Sequence, residues 1–370
     1  MANKEKRIKM KFNKWINSIN RLFIPRKTQE KNKRFDMAER TTNYEPEFYS
    51  KFVNEKLNQE DFITYPNYKD YELLKESISQ MDGLSAENVY LSTGSGACIK
   101  SVCEFTMDSG KNIVTPVPAY PMYNIYGRLY GGEHIGVEYG DSLVFDLSEL
   151  INQINDDTRL VIISNPFSPI GDYKTVNEIK KLVNVCKEFN IILVIDEAYI
   201  HFSDGESMVS LLNDYENVLI SRTFSKAFGA AGIRLGYLLG NKKLINKITK
   251  VQLTYPLSNV TVKFGMYLID NIDVIDEYVK ETKYSRDKLC EILSSKYDVV
   301  NSQTNSIHFH EKNGDNRNAV DVLNKHELAF KSGDAETGTP VKVPGDDRGT
   351  WIRLSVGAGI EKLDFVGELV

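Results

Sequence analysis

At 370 residues, with 41% hydrophobic and 26% charged side chains, the chain exceeds one ordinary core and has the composition of a globular protein with two lobes. Its net charge of −5 is uneven, since residues 1–34 hold 12 Lys/Arg against 2 Asp/Glu and the rest holds 34 against 49; a body so acidic excludes nucleic acid as the main ligand. No apolar run approaches the roughly 20 residues that span a bilayer, no export core opens the chain, and the four cysteines fit neither a metal site nor a disulfide framework, so a reducing cytoplasm is expected.

In chain order, Ile8, Phe12, Trp15, Ile16, Ile19, Leu22 and Phe23 recur at helical spacing with lysines on the other face, which predicts one amphipathic helix. Such a helix can lie weakly on an anionic membrane surface or pack as an arm against its own body or a partner. Pro25 and the polar stretch 27–33 read as a linker. Further along, helices are predicted over 71–81, 97–106 and 176–189, and apolar strands over 89–91, 112–115, 160–163, 191–195 and 218–221. Apolar strands separated by helices indicate a mainly parallel sheet covered on both faces. Sheets of that kind take ligands at the carboxyl ends of their strands. After Lys242, helices run to about residue 296, and strands near 307–310 and 351–356 complete a smaller α+β lobe. The stretch 331–349, rich in Gly, Pro, Thr and Asp, is a loop long enough to act as a lid.

The strand ends carry the candidate chemistry. The first runs into Ser92, Thr93, Gly94, Ser95 and Gly96 before a helix begins, a turn that fits either a plain connection or a phosphate held by free helix-start amides. A dinucleotide fingerprint needs a third glycine where Ile99 stands, so that reading fails. The strand over 191–195 ends in Asp196 and Glu197, yet no GxxxxGK[ST] loop accompanies it, which argues against an ATPase. The next leads into Thr223, Ser225, Lys226 and Arg234, where a lysine in a cleft can serve as a nucleophile beside hydroxyls and a guanidinium that suit a phosphate. His308 and His310 share one strand face, but with no third ligand nearby they read as ordinary strand residues rather than a metal site.

Taken together, Tyr65-Pro66, Gly94-Ser95-Gly96, Tyr120, Asp196-Glu197-Ala198-Tyr199, Ser225-Lys226-Ala227-Phe228, Gly232-Ile233-Arg234-Leu235-Gly236 and Arg353 resemble the fold-type-I pyridoxal-phosphate-dependent aminotransferases, class I/II, in the histidinol-phosphate aminotransferase branch. The resemblance runs from about residue 36 to the end. It implies a large cofactor-binding domain over 61–260 with a mainly parallel seven-stranded sheet, and a small domain from 36–60 and 261–370, with 1–35 as helix and linker. It further implies that Lys226 carries the cofactor as a Schiff base and moves the substrate proton, that Asp196 faces the pyridine nitrogen, that Tyr199 bonds the ring's phenolic oxygen and that Tyr120 stacks on its face. Ser95, Gly96, Thr223, Ser225 and Arg234 would hold the phosphate, with Tyr65 from a neighbouring subunit, hence a homodimer. Arg353 would grip a substrate carboxylate.

Two stretches depart from the family's pattern. Ser168 stands where a second asparagine of the Asn-Pro-x-Asn-Pro run normally reaches the phenolic oxygen, and its shorter side chain would reach only through a water. Glu39-Arg40-Thr41-Thr42-Asn43 replaces an Asn-Glu-Asn-Pro-like stretch that lines the substrate pocket. The activity implied is ping-pong exchange between an amino acid or similar amine and a 2-oxo acid. A decarboxylase of the threonine-phosphate type uses the same electron sink, and a catalytically weakened binding or regulatory module is the reading from another class.

Overall fold

In the computed structural model, residues 13–20, 28, 30–139, 144–312, 316–332 and 351–370 are described. Seven strands form the larger sheet: β1 Val89–Ser92, β2 Asn112–Val117, β3 Glu133–Glu138, β4 Thr158–Ser164, β5 Ile192–Asp196, β6 Val218–Thr223 and β7 Gly236–Gly240. Their order is β1-β7-β6-β5-β4-β2-β3, and β7 alone runs against the others.

Alternation along these strands splits the core in two. Leu91, Val161, Ile163, Leu193, Ile195, Ile220 and Leu239 pack on one face with Ile179, Leu182 and Val183 of the helix Val176–Glu188 and with Val262, Phe264 and Leu268 of the helix Asn259–Asp270. Leu160, Ile162, Val194, Leu219 and Leu238 point the other way, onto Cys98, Ile99, Val102 and Cys103 of the helix Ser95–Thr106. Successive side chains of a strand face opposite sides, so unbroken apolar runs are what a sheet covered on both faces requires. Each fully buried Leu or Ile contributes about 1.5–3 kcal/mol relative to exposure.

Three strands that sequence patterning did not identify are β3, β7 and β8 Tyr297–Val300. Strand β3 is an edge strand whose pattern Glu-His-Ile-Gly-Val-Glu mixes polar and apolar residues, while β7 follows the Arg234 motif directly and lacks a polar boundary.

A second sheet, ordered β10-β9-β8, combines β8 with β9 Ser306–Glu311 and β10 Ile352–Ser355. Its odd-numbered β9 face, Ile307 and Phe309, joins Ile352 and Leu354 in a separate core with Leu289, Leu293, Leu323 and Phe365. The opposite face carries Ser306, His308, His310, Arg353 and Ser355. The helix Ile272–Leu293 belongs to both bodies, with Ile275 and Tyr278 in the larger core and Leu289 and Leu293 in the smaller.

The amino-terminal segment differs from the single helix predicted for it. Over 13–20 the chain makes one 3-10 turn, Lys14–Ser18, and Ile19 is already extended. Tertiary contacts account for this: the Trp15 indole lies against Gly131 and donates Nε1–H to Leu129 O at 3.1 Å, and Arg128 Nη2 donates to Ser18 O at 2.8 Å. Ile8, Phe12, Leu22 and Phe23 lie outside the described residues, as does the proposed lid from 333 to 349.

Candidate active site

Four parallel strand ends converge. After β1, Gly94 turns with φ 87°, and the helix Ser95–Thr106 starts immediately. A Cβ at Gly94 would lie 2.5 Å from Arg234 Nη2. The backbone angle therefore calls for glycine, and a side chain there would also displace the Arg234 guanidinium. Arg234, itself left-handed at φ 55°, directs Nη1 at Ser225 Oγ and Nη2 at Thr93 O, each at 3.5 Å. At the end of β6, Ser225 N donates to Thr223 Oγ1 at 3.1 Å, and the two hydroxyls bond at 3.0 Å. Glycine at 96 leaves room for Tyr120, whose hydroxyl would be 3.4 Å from a Cβ there. Amides at a helix start, two hydroxyls and an exposed guanidinium thus face one space, a set suited to a phosphate.

Beside it, Asp196 ends β5 fully buried. Tyr123 Oη donates to its Oδ2 at 2.7 Å, while Oδ1 has no partner. Burial, reinforced by Glu197, pushes its carboxyl up to about 6. A buried carboxylate with one oxygen unpaired is costly unless a cation completes it, and a protonated pyridine nitrogen is such a cation. Tyr123 escaped the sequence reading; its spacing of three from Tyr120 was the available signal.

Tyr199 follows three residues later. Burial alone would raise its phenol, but the positive charges of Lys226 and Arg353 and a hydrogen bond with the Ser168 side chain outweigh that and hold it below its ordinary value. Lys226 Nζ sits 5.5 Å from the centre of the Tyr199 ring and donates to Met37 O at 2.7 Å. Ser168 therefore helps to hold the phenol of this chain acidic. The neighbouring Asn165 is spent on structure, its amide bridging Lys174 N and O at 2.9 and 3.0 Å.

Arg353 enters from the smaller sheet. It pairs with His308 across β10 and β9 and bridges to Lys331 on its other side, so three basic side chains lie in one row. Its Nε is buried without a partner. Burial and the adjacent guanidinium push His308 down to about 3, keeping it neutral. Among the described residues no group of three or more His, Cys, Asp or Glu could hold a metal.

The segment 36–40 closes the space between the sheets. Ala38, left-handed at φ 52°, donates its amide to Ser355 Oγ at 2.7 Å and accepts from Asn305 Nδ2 at 3.3 Å. Backbone strain of this kind costs about 1–3 kcal/mol and persists only where surrounding bonds impose it. Tyr65 does not join the others within one chain, being 77% exposed and stacked on Tyr255 at 4.6 Å.

Glu197 serves a different purpose from Asp196. It accepts Arg222 Nε at 3.0 Å, Met208 N at 2.6 Å and the Ser207 hydroxyl, and Arg222 Nη1 reaches Asp82 at 2.8 Å. This buried network ties β5 to β6 behind the site.

Residues 36–364 match the family described as Aminotransferase class I and II. Histidinol-phosphate aminotransferase 1 of Archaeoglobus fulgidus is 33% identical over 249 residues, 67% of this chain and 75% of that protein. The chain belongs to the class I and II aminotransferase family. Members are pyridoxal-phosphate-dependent transferases, and this aminotransferase resembles the histidinol-phosphate branch. Histidinol-phosphate aminotransferase of Pyrococcus furiosus is 28% identical over 276 residues, 74% of this chain and 78% of that protein. The solved histidinol-phosphate aminotransferase of Sinorhizobium meliloti, in complex with pyridoxal-5'-phosphate, superimposes with a TM-score of 0.80 at 22% identity, covering 99% and 96% of the two chains. L-threonine-O-3-phosphate decarboxylase of Porphyromonas gingivalis shares the fold at a TM-score of 0.72 and 16% identity, covering 91% of this chain and 98% of that one. The expected fold, a mainly parallel seven-stranded sheet with a smaller α+β body, is borne out. No helix among the described residues is long and apolar enough to cross a membrane.

Proposed function

We propose that Lys226, Asp196 and Tyr199 are the working residues of this aminotransferase, and that Ser95, Gly96, Tyr120, Ser168, Thr223, Ser225 and Arg234 complete its cofactor site. The supporting observation is the buried Asp196 with Oδ1 unpaired, at the strand end next to the one that leads to Lys226. When bound, the cofactor supplies an electron sink for charge left on the substrate's α-carbon. Asp196 would hold the pyridine nitrogen in its protonated form. Lys226 would hold the cofactor through Nζ and carry the proton at the substrate's α-carbon. Tyr199, with a phenol kept acidic by Lys226 and Arg353, orients the ring's oxygen. Arg353 takes the substrate's carboxylate, its free Nε being suited to a two-pronged grip.

The donor is an amino acid or amino-acid-like amine and the acceptor a 2-oxo acid, 2-oxoglutarate being the natural partner. Histidinol phosphate itself is not carried over, because Glu39-Arg40-Thr41-Thr42-Asn43 departs from the pattern of the stretch that lines the pocket. We assign the cofactor lobe to 61–260 and the smaller lobe to 36–60 with 261–370. A homodimer is supported by the exposed aromatic patch of Phe62, Tyr65, Tyr68 and Tyr255, a surface that favours a partner. Four free cysteines support a cytoplasmic location. Trp15, spent on the body, favours an arm over a membrane contact.

Lys226→Ala is the test. It should abolish the visible absorbance of the linked cofactor and lower transamination by roughly 10²–10⁴-fold or more, the worth of a positioned proton carrier. Release of carbon dioxide in place of pyridoxamine phosphate would favour the decarboxylase reading. A wild-type protein that stays colourless with added pyridoxal phosphate would overturn both.

A further inference from the structure

The segment that departs from the family's pattern carries Arg40, which is 9% exposed. Its guanidinium lies between two rings, 3.9 Å from the centroid of Tyr44 and 3.9 Å from that of Tyr278. Stacking on both faces fixes the plane of the group and leaves its N–H bonds directed outward within that plane. Nε and Nη1 are buried and have no acceptor. The aromatic faces offset part of the buried charge and the Tyr44 hydroxyl takes a side-chain hydrogen bond from the group, but Nε and Nη1 stay unsatisfied. Among the described residues no carboxylate pairs with it.

The backbone around this residue runs between the two halves of the site. Three residues earlier, Met37 O accepts Lys226 Nζ. Two residues earlier, Ala38 is bonded to Ser355, two positions beyond Arg353. A Cβ on Gly229, three residues after Lys226, would lie 2.4 Å from Arg40 Cδ, so the arginine stem crosses the turn that carries Lys226. Gly229 has φ 58°, which again admits glycine readily.

We propose that Arg40 determines specificity by binding a second anionic group, a carboxylate or phosphate at the far end of the amino donor or 2-oxo acid whose α-carboxylate Arg353 holds. The inference rests on the aminotransferase reading above. A guanidinium held flat between two rings, with Nε and Nη1 lacking acceptors, offers N–H donors to the oxygens of such a group. A purely structural arginine, wedged between tyrosines, would affect stability without discriminating among substrates.

The holoenzyme should be assayed in the donor half-reaction, by the change in cofactor absorbance, with L-glutamate, O-phospho-L-serine, L-alanine and L-leucine. In Arg40→Gln the ratio of kcat/KM for anionic over neutral donors should fall about tenfold or more, mainly through KM, as loss of a charge-assisted hydrogen bond implies. Arg40→Lys should recover part of it. A larger fall for glutamate assigns a carboxylate, and for phosphoserine a phosphate. An unchanged ratio, with both classes falling together or neither falling, overturns the proposal. Should the variants not fold, the wild-type holoenzyme is titrated with glutarate and butyrate, read by the same absorbance. Glutarate should bind about tenfold tighter, and equal affinity overturns the proposal. The titration needs no turnover, so it stays decisive even if no donor reacts and the aminotransferase reading fails.

Discussion

The ends of β5 and β6 and the polar face of the smaller sheet build their halves of the site by opposite means. At the larger sheet each strand end delivers its residue within three positions of the last pair in the ladder: Asp196 pairs with Ser221, and Lys226 follows Thr223, the last paired residue of β6, by three. At the smaller sheet Arg353 is placed by register, through pairing with His308 on one side and Lys331 on the other. Strand ends turn contiguous sequence into a site. A sheet face assembles one from residues more than twenty positions apart.

The buried Arg222 network, which holds the strand ends together, gives the largest structural test. Glu197→Gln would leave the buried Arg222 cation with Asp82 as its one carboxylate partner and should cost about 3–5 kcal/mol, seen as a lower midpoint in denaturant unfolding. If stability and cofactor binding both survive, the strand ends do not depend on that network, and the contrast with the register-built half weakens.

The two halves should also answer pH in opposite directions. Asp196 is raised in the folded protein from 3.8 to about 6. The folded state then binds the extra proton between those values, so without cofactor this group's penalty is absent below pH 4 and grows to about 3 kcal/mol by pH 6. His308 is lowered from 6.5 to about 3, so its contribution is present above pH 6.5 and is lost as the pH falls towards 3. Stability curves of the cofactor-free protein should show the first slope removed by Asp196→Asn and the second by His308→Leu. A single common slope would show that neither burial is as complete as the geometry states.

The smallest expected effect sharpens the substrate half. Arg353→Lys keeps the charge but loses the fork, and should raise KM by roughly tenfold, about 1.4 kcal/mol, with a smaller change in kcat. An equal loss in kcat would move Arg353 from binding towards the chemistry itself.

The cofactor half was largely legible in the sequence. Asp196, Tyr199, Ser225, Lys226 and Arg234 stand in short motifs after apolar strands, and hydrophobic patterning locates the ends of β1, β5 and β6 to within two residues. Edge strand β3 was not, because an edge needs no continuous apolar run. The amino-terminal turn was misjudged because Trp15 answers to Gly131 and Leu129 and not to its own helical period. Local sequence by itself determined most of the strands, the turn at Gly94 and the chemistry at the strand ends, since these depend on nearest neighbours and on residue type. Only the tertiary structure decided that Tyr123 supports Asp196, that Met37 meets Lys226, and that Arg40 lies buried between Tyr44 and Tyr278 with two donors free. Arg40 on Tyr44 aside, those contacts join residues from 73 to more than 200 positions apart, and no periodicity in the chain encodes them.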